Sequence, residues 1–148
     1  MMISTDYGAI KIPARQEPCD TIVWVCGDCR FFFNGSLVKF LGEIQLDNYY
    51  LQANPGGLLR LYTSRDALDS IMEYCKYIEI KEVVIITHCT VPGAELKATC
   101  KYEAIVYGMA SIINLYQRAK KSLSFVGVNT AWYHAEIENT EMNFIKID

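Results

Sequence analysis

Thr21 to Cys26 reads TIVWVC. An unbroken apolar and β-branched run of this length, with no polar alternation, suits a strand buried on both faces. It ends in Cys26-Gly27-Asp28-Cys29-Arg30, where two thiols, a carboxylate and a guanidinium fall within five residues. Glu82 to His88, EVVIITH, is a second run of the same kind. It ends in His88-Cys89.

Between and beyond these runs the pattern alternates. Ser36 is a plausible N-cap for a short amphipathic stretch, SLVKFLGEI. NYYLQA (48–53) reads as a strand and NPGG (54–57) as a turn. A helix is expected from Ser64 through SRDALDSIMEYCKYI, because Ala67, Leu68, Ile71, Met72, Cys75 and Ile78 recur at helical spacing. Residues 94–120 predict a long helix, broken near Gly108. LSFVGV (123–128) predicts a further strand. The alternating runs around Glu138-Asn139-Thr140 predict a hairpin or edge extension. Strands alternating with helices build a mainly parallel sheet flanked by helices, so the expected fold is α/β, one domain over 1–148 with residues 1–20 as an N-terminal arm.

Composition agrees with one ordinary globular domain. The chain has 148 residues, 51% hydrophobic and 21% charged. The net charge is −3, with basic residues scattered, so neither nucleic acid nor an anionic membrane is an expected partner. The N-terminal stretch has Asp6 early and no apolar core of a signal peptide, and no run approaches the length of a membrane helix. A cytoplasmic protein is the default expectation. In that compartment the six cysteines point to buried thiols plus a metal or redox site. Cys75 and Cys100 fall in helical patterns and read as core residues.

Ligands of open α/β sheets bind at the carboxyl ends of strands. If the two buried strands are neighbours, Cys26, Asp28, Cys29 and Arg30 meet His88 and Cys89 there. A thiolate and an imidazole suit zinc, with Cys26 and His88 as the first two ligands and Cys89 or Cys29 as candidates for a third. Asp28 and Arg30 form an orienting pair beside them. Cys26-x-x-Cys29 also admits a redox reading, against which the following Arg30-Phe31-Phe32-Phe33 is a poor helix start. His134 reads as structural or exposed.

Cys26-x-Asp28-x-Arg30 after a buried strand resembles the C-x-D-x-R motif of the β-class carbonic anhydrases. Asn54-Pro55-Gly56-Gly57 is similar to the family's Asn/Gly-rich turn, EVVIITH to the strand ending in its zinc histidine, and Gly93-Ala94 to the Gly-Ala after its second cysteine. The resemblance runs over residues 20–148. It implies reversible hydration of CO2 to bicarbonate by a zinc lyase, usually a homodimer. Cys26 and His88 would be metal ligands, Asp28 and Arg30 the catalytic dyad, and Asn54, Gly56 and Gly57 part of the substrate pocket. The departure lies at the family's H-x-x-C. Here the run is His88-Cys89-Thr90-Val91-Pro92-Gly93, with Val91, or Pro92 after a one-residue insertion, at the third-ligand position. Two other expectations follow from that departure: a metal-free relative serving as a binding or regulatory protein, and a structural zinc or redox site built on the cysteines.

Overall fold

The computed structural model describes residues 8–15, 17–90, 109–138 and 140–148. One five-stranded sheet organises them. Its strands are β1 (Thr21–Cys26), β2 (Tyr50–Asn54), β3 (Glu82–Thr90), β4 (Asn129–Glu138) and β5 (Glu141–Lys146). Their order is β2-β1-β3-β4-β5. The first four pair in parallel, and β5 runs antiparallel to β4. The chain is thus an α/β domain with a mostly parallel mixed sheet. No helix among the described residues is long and apolar enough to cross a membrane.

The unbroken apolar character of β1 has a direct cause. All six of its residues are buried, because it lies between β2 and β3 and is covered on both faces. Ile22 and Trp24 join Val83, Ile85 and Trp132 beneath the helices α2 (Asp66–Tyr77) and α3 (Met109–Phe125). Val23 and Val25 join Val84, Ile86 and Ala135 on the other face, where α1 (Ser36–Glu43) contributes Leu37 and Leu41. Each set follows the two-residue period of a strand.

The helix starts differ in detail from the sequence reading. Ser36 is the first residue of α1 rather than its cap; Gly35 holds the capping place with φ +70°, and the Ser36 hydroxyl donates to the Phe33 carbonyl at 2.7 Å. α2 starts at Asp66, two residues later than expected, with Arg65 in the cap position and Ser64 Oγ accepting the Asp66 N–H at 3.1 Å. The long helix is seen from Met109 onward; the stretch 94–108, with its expected break near Gly108 and with Cys100, lies outside the described residues.

The strand expected at 123–128 is not one. Leu123 to Phe125 form the last turn of α3 and β4 begins only at Asn129. Gly127, at φ +80°, donates to the Ser124 carbonyl at 3.0 Å, and Val128 donates to Leu123 at 3.0 Å. This paired closure around a left-handed glycine is the Schellman stop. Leu123 and Val128 are apolar because both enter the core under the sheet, not because they extend. The hairpin, by contrast, forms as expected, with Glu138 paired to Glu141. Against it Phe40 of α1 stacks on Phe144, with centroids 3.9 Å apart and planes 7° from parallel.

Asp148 closes the far end of the sheet onto α3. Its carboxylate accepts hydrogen bonds from the Tyr116 hydroxyl and, at 2.6 Å, from Lys120 Nζ. Burial and the bond to Asp148 push the Tyr116 phenol up to about 12.

Candidate strand-end site

β1 ends in Cys26, only 2% exposed. In the parallel ladder it pairs with Asn54, the last residue of β2. Gly27 N–H donates to the Asn54 carbonyl at 3.0 Å, carrying the pairing one residue past the strand. The chain then turns back over the strand end. Gly56 and Gly57 have φ of +82° and +51°, a region that L side chains rarely enter. Gly56 N–H donates to Cys26 Sγ at 3.2 Å. A Cβ on Gly57 would sit 2.8 Å from the Cys26 backbone nitrogen. The turn needs glycine here because its backbone lies against the backbone of β1. A sulfur fixed by a backbone donor is a sulfur whose direction is set.

The residues after Cys26 form a short 3-10 turn, Cys29–Phe31. Asp28 opens it, its Oδ1 accepting the Arg30 backbone N–H at 3.0 Å. The Arg30 side chain folds onto the same carboxylate: Nε lies 3.0 Å from Oδ1 and 3.2 Å from Oδ2, and Nη2 lies 2.6 Å from Oδ2. The pairing is bidentate and largely dry, with side-chain exposures of 11% for Arg30 and none for Asp28. The i, i+2 spacing of C-x-D-x-R produces this geometry, because the turn brings the guanidinium back over the residue that caps it.

His88 lies on β3, on the face of Ile86 and Val84. It is 3% exposed, and its ring meets Phe31 edge to face, at 5.3 Å and 84°. Phe31 belongs to the turn that carries Asp28 and Arg30, so this contact ties the two strand ends together. β1 and β3 are neighbours with Val25 opposite Ile86. The ends of β1 and β3 are therefore adjacent, with Phe31 in contact with His88.

Cys89 and Cys29 are placed elsewhere. β3 stays regular through Thr90, so Cys89 faces away from His88. Its Sγ lies 3.2 Å from His134 Nε2. Cys29 is exposed and lines a cavity of about 440 Å³ together with Arg30, Phe32, Phe33, Ile137 and Met142. The C-x-x-C therefore puts one thiol inside and one outside. Val91, Pro92 and Gly93, which bear on the third-ligand position, lie outside the described residues.

His134 is the residue that sequence reasoning underrated. It is buried, at 3% exposure. Nδ1 lies 2.6 Å from Thr87 Oγ1, which also accepts from Trp132 Nε1 at 2.8 Å. The signal was the alternation of AWYHAEIE, which sets His134 on the face of the buried Trp132. Burial holds the His134 imidazole below its ordinary 6.5; Glu136 pulls it up and His88 adds to the fall. A histidine whose folded pKa lies below its unfolded value favours unfolding once the unfolded chain binds its proton. The contribution is whole above about pH 6.5 and is lost as pH falls toward the folded value. Urea midpoints at pH 7.5 and 5.5 should show this loss, and His134→Gln should reduce it.

The donor set suits zinc in kind: a buried thiol and an imidazole at neighbouring strand ends, with an anchored carboxylate alongside. Among the described residues no group of three or more His, Cys, Asp or Glu side chains is arranged to hold a metal ion. Cys26 and His88 are two side chains of a kind that suits a soft metal. Compared with protein-family models, with curated proteins and with solved structures, the chain matches none.

Proposed function

We propose that this chain is a carbonic-anhydrase-like zinc lyase that interconverts CO2 and bicarbonate at the ends of β1 and β3. The observation that carries the reading is the buried bidentate Asp28–Arg30 pair on the turn directly after Cys26. It supports the resemblance to the β-class carbonic anhydrases, as does the α/β sheet that sets His88 beside that turn.

Cys26 and His88 would hold zinc, whose contribution is to bring the pKa of a water down to about 7. Arg30 fixes the direction of the Asp28 carboxylate, which accepts a hydrogen bond from the attacking hydroxide. That bond aims the oxygen at the CO2 carbon. The C–O bond forms, one C=O electron pair moves onto its oxygen, and bicarbonate results; the proton left from ionising water goes to solvent. Orientation of this kind is a recognised source of rate. A homodimer is part of the same reading, checked by sedimentation.

A second reading is favoured by a specific observation. With two soft donors and no cluster of three among the described residues, the fold also suits a metal-free relative that binds a small molecule. Zinc per chain, measured by elemental mass spectrometry on protein purified without a histidine tag or chelator, separates the two. About one zinc per chain with stopped-flow CO2 hydration, both lost in Cys26→Ala, is the expected result. Zinc near zero after supply, with no hydration, would sink the lyase and leave the metal-free binder. Zinc retained without hydration, and lost in Cys29→Ser or Cys89→Ser, would mark a structural site instead.

A further inference from the structure

Buried polar atoms in folded proteins nearly always have a partner, and each exception asks for an explanation. Among the described residues, Asn54 Nδ2 and Trp24 Nε1 are shielded from solvent and bonded to no protein group. Trp24 lies deep in the apolar layer under α2 and α3. Asn54 lies at the strand-end site. It is the register partner of Cys26, and paired positions of a parallel ladder project to the same face.

The backbone of Asn54 already does the structural work at this point, its carbonyl accepting from Gly27. The side-chain amide is not needed to hold the turn. The turn that follows is packed against β1 through backbone alone, since a Cβ at Gly57 would strike Cys26. A shielded donor without a protein acceptor, in register with a buried thiol, is placed to meet an oxygen of a small ligand.

We propose that the Asn54 amide is a catalytic hydrogen-bond donor, taking the substrate oxygen on which charge develops as CO2 becomes bicarbonate. This rests on the lyase reading of the same site. As hydroxide adds to carbon, the C=O electron pair moves to that oxygen, and Nδ2–H donates to it without transferring a proton. A neutral donor favours the charged oxygen over neutral CO2, so the interaction strengthens along the reaction, which is the condition for catalysis. It also adds no full positive charge that would hold bicarbonate back.

Asn54→Leu removes the donor at nearly constant size, and Asn54→Asp replaces it with an acceptor. Both keep the backbone carbonyl. Zinc per chain and melting temperature should match the parent protein, while kcat/KM for 13C exchange between CO2 and bicarbonate falls about a hundredfold in Asn54→Leu and further in Asn54→Asp. Parental exchange rates in both variants, or losses that only follow lost zinc, would overturn the proposal. A measurement on the unaltered protein stands apart from the folding of the variants: the Asn54 side-chain amide protons, assigned by through-bond correlation, should shift downfield as bicarbonate is added. No shift up to saturating bicarbonate also overturns it. A shift in protein that shows no exchange activity would sink the lyase reading while upholding Asn54 as an oxyanion donor.

Discussion

Arg30→Ala is expected to lower folding stability by about 3–5 kcal/mol, the range for removing one partner of a buried ion pair. The size follows from dryness. The Asp28 carboxylate is fully shielded, and Arg30 supplies three of its hydrogen bonds within 3.2 Å. The alanine takes those three bonds away from a carboxylate in a place water reaches poorly. Exposed pairs behave otherwise, contributing about 0–1 kcal/mol; the Arg15–Asp47 contact at 3.5 Å is one such pair here. Urea unfolding at pH 7 measures the difference. A loss under about 1 kcal/mol would show that the pair acts as a surface contact. The double variant Asp28→Asn with Arg30→Met should lose less than the two single losses added, since no lone charge is left behind.

Gly57→Ala is expected to cost about 3 kcal/mol or more, combining a left-handed backbone with a steric collision. Residue 57 has φ +51°, and the added methyl would stand 2.8 Å from Cys26 N and 3.2 Å from both Cys26 Cα and Val25 C. All three are backbone atoms of a central strand, so none can rotate aside. Relief requires the turn to lift, and lifting it withdraws Gly56 N–H from Cys26 Sγ. The variant should therefore lose stability and, on the lyase reading proposed above, zinc with it. Gly42→Ala in α1 is the internal comparison. Nothing lies within 4 Å of its Cβ position, so the helix-propensity gain of about 0.5–1 kcal/mol should appear there. If both alanines behave alike in thermal unfolding, the close approach at Gly57 has no energetic weight.

The sequence made β1 and β3 legible because a strand covered on both faces has to be apolar at every position. The hairpin was legible through the alternation on both sides of Glu138. The region 123–128 misled because Leu123, Phe125, Val126 and Val128 mimic a strand, while the decisive residue is Gly127. At the site, the short-range geometry of Asp28 and Arg30 was present in their spacing. The opposite facing of His88 and Cys89 followed from strand alternation once β3 stayed regular. The separation of Cys26 from Cys29 was not legible, because it depends on how the 3-10 turn swings Cys29 outward. Nor was the bonding of His134: its partners Thr87 and Cys89 reach it only through the register of β3 against β4, and register is set by burial and turns rather than by local composition.

The strand order has a further consequence, for the time course of folding. β4 and β5 are consecutive and joined by a tight turn, so their hairpin can close within microseconds. β1 can meet β2 and β3 only after intervening helical segments have been brought round, and such non-local pairings are the slow ones. Cys26 and His88 lie on that late-forming pair, so a full-length chain refolding from denaturant can close the hairpin well before β1 and β3 pair. Substitutions in the hairpin should then act mainly on the rate of folding, and substitutions at the strand-end site mainly on the rate of unfolding.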